Sequence, residues 1–361
     1  MRESIPRRLA WTLGLLAVAL VALPMSAGAA NSQPYVVHPL VSNGGVPAAH
    51  TDAQLENGWG LAARPTSPWW VADNGTNVST LYDSNGNKQS LVVTVDGGPT
   101  GEVANLTNGF VVGTGATARS ALFIWAGEDG TIRGWNPTAS ATTALVAVDN
   151  SADHTIYKGL AIATGPAGPE VYATDFHHAK VDVYDGSWSP VNTSGAFVDP
   201  KLPKHYAPFG IQAIQSAGTT RIFVTYAKQD KAAEDERAGD GLGIVDVYDT
   251  AGTFLGRVAK HDDLNAPWGL ALAPAGFGPF GGDLLVGNFG DGRINAYEEQ
   301  ANGEFEHRGQ LRDEDGKQIV IDGLWALEFG NAGSNGTPNM LFFTAGPNDE
   351  HDGLFGSITA D

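Results

Sequence analysis

Oxygen-bearing side chains recur at matching places along this 361-residue chain, and their spacing is the first hint of chemistry. Asp73, Glu128, Asp175, Asn288 and Asp349 each stand where a short alternating stretch gives way to a turn. Carboxylates and amides brought to one point suit Ca²⁺, a hard ion that takes about six to eight oxygens in a tolerant geometry. Asp-Gly and Asn-Gly pairs are also ordinary turn formers, so turn chemistry accounts for any single one of them. Asp175, His177 and Glu128 have the types needed for acid–base catalysis, because a histidine titrates near neutrality. His177 and His178 are neighbours, and in extended chain neighbours face opposite ways, so just one of the two can reach a shared site. Lys158, Tyr226, Lys228 and His351 join them as candidate ligand-binding groups. Trp59, Trp268 and Trp325 either pack in the interior or stack on a flat or sugar-like ligand. The sequence holds no His-Glu-x-x-His zinc pattern, no Gly-x-Ser-x-Gly elbow and no phosphate-cradling loop.

Composition narrows the classes these residues can serve. There is no cysteine, which removes disulfides, thiolate zinc sites and iron–sulfur clusters. Asp and Glu outnumber Lys and Arg by 40 to 21, a net charge of -19 that argues against a nucleic-acid partner. With 42% hydrophobic residues the chain can bury a large core. Arg2, Arg7 and Arg8 precede an apolar run from Leu9 to Leu23, and Ala27-Gly28-Ala29 follows as a small-residue cleavage pattern. Residues 1–29 therefore read as a signal peptide. The run is too short to span a bilayer, which takes about 20 apolar residues, so the expectation is export without a membrane span.

The elements that must position the candidates announce themselves as a repeat. A bulky residue, a small one and usually an apolar one recur as Trp59-Gly60-Leu61, Thr100-Gly101-Glu102, Lys158-Gly159-Leu160, Phe209-Gly210-Ile211, Trp268-Gly269-Leu270 and Trp325-Ala326-Leu327. The small residues are 41, 58, 51, 59 and 57 positions apart. A second marker keeps step: Tyr82-Asp83, Trp135-Asn136, Tyr184-Asp185, Tyr248-Asp249 and Tyr297-Glu298 each close an alternating stretch. Self-similarity at this period, with several short alternating stretches and glycine-rich turns per unit, is the mark of propeller blades. The expectation is an all-β, six-bladed β-propeller over residues 30–361, each blade a four-stranded sheet. In the first unit the strands are expected at 60–63, 69–72, 78–82 and 90–95. The sixth unit runs short of a strand after residue 358, and the stretch from Tyr35 to Ser42 is spare, so the N-terminal strand is expected to close the last blade. Helical patterning is confined to residues 228–238, inside a charged insertion expected to rise over the rim as a lid.

Several runs resemble a family of secreted bacterial proteins of unassigned function: residues 128–132, 157–161, 226–230, 266–271, 288–292 and 343–350. The resemblance covers nearly the whole chain after the leader. It implies a six-bladed propeller and export, favours His177 over His178, and carries no reaction with it. By blade pattern alone the chain is also similar, more loosely, to NHL-repeat and calcium-dependent lactonase propellers.

In a propeller, one rim gathers the loop entering each inner strand and the loop leaving each second strand. The candidates occupy those loops. Two functions stay open: a binding protein that recognises a small extracellular ligand, glycan or partner at the channel mouth around a bound cation, or a metal-dependent hydrolase or lyase of the lactonase or esterase type at the same rim. Substrate and oligomeric state are not legible in the sequence.

Overall fold

The computed structural model describes Met1 and residues 34–361, and the expected signal peptide otherwise lies outside the described residues. Six sheets follow one another, each stepping from an inner strand outward. The inner strands are Gly58–Ala62, Pro99–Ala104, Tyr157–Gly165, Tyr206–Ser216, Pro267–Leu272 and Leu324–Phe329. Their second strands are Trp69–Asp73, Phe123–Gly127, Gly168–Asp175, Thr219–Lys228, Leu284–Asn288 and Leu341–Ala345. As expected, Tyr35–Ser42 completes the sixth blade, running antiparallel to Leu354–Ala360 and pairing from Tyr35 with Ala360 to Ser42 with Leu354. That pairing covers an edge that would otherwise template association.

The repeat has a physical cause. Every inner strand carries one extra residue against its second strand at the bulky–small pair: Gly58 and Leu61 oppose Asp73 and Val71, for example, and Pro208 and Ile211 oppose Tyr226 and Val224. The slip recurs in the other four blades. Such bulges kink a strand and re-aim a side chain. The glycine that follows allows neighbouring inner strands to touch backbone to backbone. A β-carbon on Gly101 would lie 2.2 Å from the Leu160 nitrogen, and one on Gly210 would lie 2.1 Å from the Trp268 carbonyl oxygen. Threonine hydroxyls clamp the same joints. Thr100 Oγ1 donates to the Tyr157 carbonyl at 2.9 Å, Thr174 Oγ1 to the Phe209 carbonyl at 2.7 Å, and Thr344 Oγ1 to the Trp59 carbonyl across the ring closure.

Two details depart from expectation. The third blade has three strands, because residues 186–205 bear Pro190, Pro200 and Pro203, which lack ladder donors; Pro190 makes an isolated bridge with Tyr184. Residues 228–238 do not coil. Asp230 takes the Glu234 amide on its carboxylate at 3.0 Å, and the Arg237 amide returns to the Lys228 carbonyl at 2.7 Å, folding the insertion into a tight irregular hairpin. Among the described residues no helix is long and apolar enough to cross a membrane.

The glycine account predicts a contrast. Gly210→Ala should lose about 1–3 kcal/mol by overpacking against a backbone that cannot yield. Gly256→Ala, on an outer strand with open space around the added carbon, should stay within about 0.5 kcal/mol of wild type in the same urea melts. Equal loss in both would show that the inner-strand approach is not what the glycine protects.

Candidate functional site

The bulges turn bulky residues toward the axis, and there they meet. Trp59 stacks on Trp325 with centroids 3.8 Å apart, and Trp325 stacks on Phe289 at 4.0 Å. Phe209, Trp268 and Phe176 join the same buried cluster. Of the two places open to the three tryptophans, they take the interior one and form an aromatic plug across the channel, leaving Trp59 and Trp325 no open face. Hydrogen bonds fix the plug: Trp325 Nε1 donates to Asn57 Oδ1 and Trp268 Nε1 to the Lys158 carbonyl, both at 2.9 Å.

On the rim side of the plug, polar groups from four blades converge on one ammonium. Lys158 is 2% exposed, with Nζ 2.6 Å from Glu128 Oε1, 3.1 Å from Asp235 Oδ1 and 5.2 Å from the Trp59 ring centroid. Glu128 Oε2 accepts from Asn74 Nδ2 at 2.9 Å. Asn57 Nδ2 donates to Glu350 Oε2 at 2.6 Å and to Asn74 Oδ1 at 3.3 Å. Glu350 is delivered by an uncommon turn in which Asn348, Asp349 and Glu350 all have positive φ (57°, 54° and 65°). Left-handed backbone costs about 1–2 kcal/mol per such residue, so the surroundings must hold this turn in place.

Electrostatics follow from crowding. Burial alone would lower the Lys158 pKa, but Glu128, Glu236 and Asp235 more than reverse it and hold the ammonium charged. Burial pushes Glu236 up to about 7, with repulsion from Glu350 and Asp235 adding to it and Lys158 opposing. Burial likewise raises Glu350, with Glu128 and Asp235 adding repulsion and Asn57 opposing.

The insertion lies over this cluster as a strap. Gln229 Nε2 donates to the Phe176 carbonyl at 2.6 Å, His177 Nδ1 stands 3.1 Å from the Ala233 carbonyl oxygen, and the Gly239 amide reaches Asn265 Oδ1 at 2.7 Å. The strap supplies Asp235 and Glu236, which sequence reasoning had placed in a charged lid without linking them to Lys158. No local pattern could have made that link: Lys158 and Asp235 are 77 residues apart.

The five expected metal ligands are not gathered. Asp73 turns into the first blade, where Oδ2 accepts the Thr80 amide at 3.0 Å and burial raises its pKa well above the carboxylate range. Asp175 is occupied by His178 Nδ1 at 2.8 Å and Lys180 Nζ at 3.5 Å. Asn288 Nδ2 donates to the Asp263 carbonyl at 2.7 Å, and Asp349 is exposed on its turn. Only Glu128 reaches the rim cluster, and there the chain's own ammonium sits among the oxygens, a poor seat for Ca²⁺. Among the described residues, no group of three or more His, Asp or Glu is placed to hold a metal.

The other candidates scatter too. Tyr226 is buried inside the fourth blade with its hydroxyl 2.6 Å from that of Tyr248. Lys228 stands at the foot of the strap and His351 is exposed. Asp175, His177 and Glu128 form no catalytic set, because the histidine paired with Asp175 is His178. His177 turns under the strap, half-buried, while His178 is exposed. A cavity of about 720 Å³ lies away from this rim, between the outer strands of the fourth and fifth blades; its Arg257 is already bound by Asp199 and Asp246.

No protein-family model matches the chain. Two uncharacterised proteins of Acanthamoeba polyphaga mimivirus are similar along most of their length. One is 34% identical over 337 residues, covering 89% of this chain and 79% of the relative. The other is 32% identical over 345 residues, covering 90% and 86%. These relatives are viral, whereas the resemblance read in the sequence pointed to bacterial proteins. Among solved structures, a protein of unknown function from Bacteroides thetaiotaomicron superposes with a TM-score of 0.55 at 9% identity, covering 90% of this chain and 76% of that one. A streptogramin B lyase gives 0.51 at 10% identity, covering 91% and 98%. A PQQ-bound aldose sugar dehydrogenase from Streptomyces coelicolor gives 0.51 at 13% identity, also covering 91% and 98%. At such identities the likeness shows the fold alone.

The rim predicts a pH signature. Glu236 ionises at its ordinary 4.5 in the unfolded chain but holds its proton to about 7 when folded, so stability falls as pH rises through that window. Glu236→Gln should match wild type at pH 4.5 and exceed it at pH 8 by on the order of 1–2 kcal/mol in urea melts. A constant offset across this range would remove the crowding account.

Proposed function

The chain belongs to the family of the two mimivirus proteins, and on that premise we propose that it is a binding propeller whose rim captures a small polar ligand through a protonated amine. The observation that carries this reading is the imbalance at the rim: Glu128, Asp235, Glu236 and Glu350 surround a single buried ammonium. Crowded carboxylates with raised pKa values are relieved by an incoming positive charge. Glu128 and Asp235, whose side chains are 34% and 71% exposed, offer outward-facing oxygens to it. Asn57 and Asn74 hold the carboxylates in place, Asn57 Nδ2 donating to Glu350 and Asn74 Nδ2 to Glu128. Entry requires the strap to lift from His177 and Lys158. The leader-like residues 1–29 support placing this activity outside the cytoplasm.

A second reading, hydrolase or lyase action on a lactone or ester, has one specific support. His178 is exposed and its Nδ1 lies 2.8 Å from buried Asp175, the arrangement that orients a general base. Its test is turnover of a lactone and ester panel, which should be lost in His178→Ala and retained in His177→Ala.

For the binding reading, titration calorimetry with glucosamine and ethanolamine should show saturable binding, and glucose should bind at least about tenfold more weakly. Glu350→Gln should weaken the amine about tenfold, the size expected for losing one charge-assisted contact. Equal affinity for glucose and glucosamine, or indifference to Glu350→Gln, would overturn the assignment.

A further inference from the structure

The cavity between the outer strands of the fourth and fifth blades takes no part in the rim. Its volume of about 720 Å³ falls inside the span of about 300–1,000 Å³ usual for small-ligand sites. Strands Phe254–Lys260 and Phe305–Gln310 supply facing walls, Tyr297 stands on the next strand inward, and the loop around Pro200 borders one side. Each wall carries an extra residue there: Val258 opposite Val245 and Asp246, and Arg308 opposite Ala296 and Tyr297. Such bulges bend and twist a strand, and the space lies between the two bends.

Charge sets the class of ligand. Lys201, Arg257 and Lys260 are matched along the lining by Asp199, Asp262 and Asp263, so neither sign prevails. Arg257 and Asp199 bind each other. Among the described residues Lys201, Lys260 and Asp262 form no ion pair, and Asp263 meets just His307 Nδ1 at 3.6 Å. An anion here would face Asp262 and Asp263, and a cation would face Lys201 and Lys260. An uncharged molecule rich in hydroxyls can donate to the acids and accept from the ammonium groups. Apolar surface adds a second requirement. Phe254 and Phe305 are half-buried, held edge-to-face by Tyr248 at 5.6 Å and Phe223 at 6.1 Å. A sugar ring, with an apolar C–H face and a belt of hydroxyls, meets both demands.

Tyr297 is the group the fold leaves unfinished. The residue is 5% exposed, yet its hydroxyl has no hydrogen-bond partner among the described residues. Burial first, then the charges of Asp263 and Asp262, push the phenol above its ordinary range, so it stays a donor. A buried donor without an acceptor costs free energy that phenylalanine would not. The acids beside it are set in place. The Asp263 carbonyl accepts from Asn288 Nδ2 at 2.7 Å and from Asn295 Nδ2 at 3.2 Å, and His261 and Asp262 hold left-handed backbone at φ 56° and 47°. Backbone of that kind persists where its surroundings fix it.

We propose that this outer cavity binds an uncharged saccharide of disaccharide size, its ring face against Phe254 and Phe305 and its hydroxyls shared among Tyr297, Asp262, Asp263 and Lys260. Titration calorimetry on the full chain tests it with cellobiose, maltose and lactose. At least one should bind saturably at one equivalent. The glucosamine dimer and cellobiouronate, which add positive or negative charge to the cellobiose frame, should each displace it at least about tenfold less effectively. Tyr297→Phe and Lys260→Ala should each weaken binding at least about threefold, while Glu314→Gln, an exposed acid elsewhere, should leave it unchanged. Tyr297→Phe should keep the wild-type urea midpoint, because the hydroxyl it removes holds nothing in the fold; if that variant does not fold, Lys260→Ala at its exposed site decides. No saturable binding of any of the three sugars, equal displacement by either charged form, or undiminished binding in Tyr297→Phe would overturn the proposal. So would loss of binding in Glu350→Gln, which would place the sugar at the rim.

Discussion

The closest constraint in this molecule is the approach of inner strands to one another. At Gly60, Gly101, Gly159, Gly210 and Gly269 a β-carbon would meet the backbone of the next blade. Threonine hydroxyls then bind carbonyls across the same joints. A ring closed this tightly leaves an axis too narrow for an open channel. The bulge beside each glycine turns its bulky neighbour inward, and aromatic rings fill what space remains. One backbone device thus sets the blade spacing, blocks the channel and separates its two mouths.

The two mouths solve the same electrostatic problem differently. At the rim, the third unit places lysine where four of the other units have an aromatic residue, and Lys158 gives the surrounding carboxylates an internal counter-ion. The carboxylates still outnumber it, and burial together with their mutual repulsion raises the pKa of Glu236 and Glu350. At the far mouth Glu328 has no basic partner and takes a hydrogen bond from Gln212 instead. Desolvation raises a carboxyl pKa most where nothing positive opposes it, so the chemistry open to each mouth follows from where one lysine stands.

Much of the architecture was legible because it is periodic. The bulky–small pair, the closing Tyr-Asp marker and the spare strand at Tyr35–Ser42 are local patterns, and the structure pairs that strand with Leu354–Ala360. The rim was legible as a location: the candidates Glu128 and Lys158 do face it. The partnership was not. Asp73 and Glu128 occupy related turns, yet one is buried within its blade and the other reaches Lys158. Alternation along a strand says which face a residue takes, not how far the adjoining turn carries it.

Strand order, blade number and the closing strand were determined by sequence alone, because each depends on spacing that a linear chain records. Tertiary structure decided that the indoles stack on one another, that Asp175 pairs with His178, and that Asp235 bends back over Lys158. Those outcomes depend on distances between segments tens of residues apart, and a distance across the ring exists only once the ring has closed.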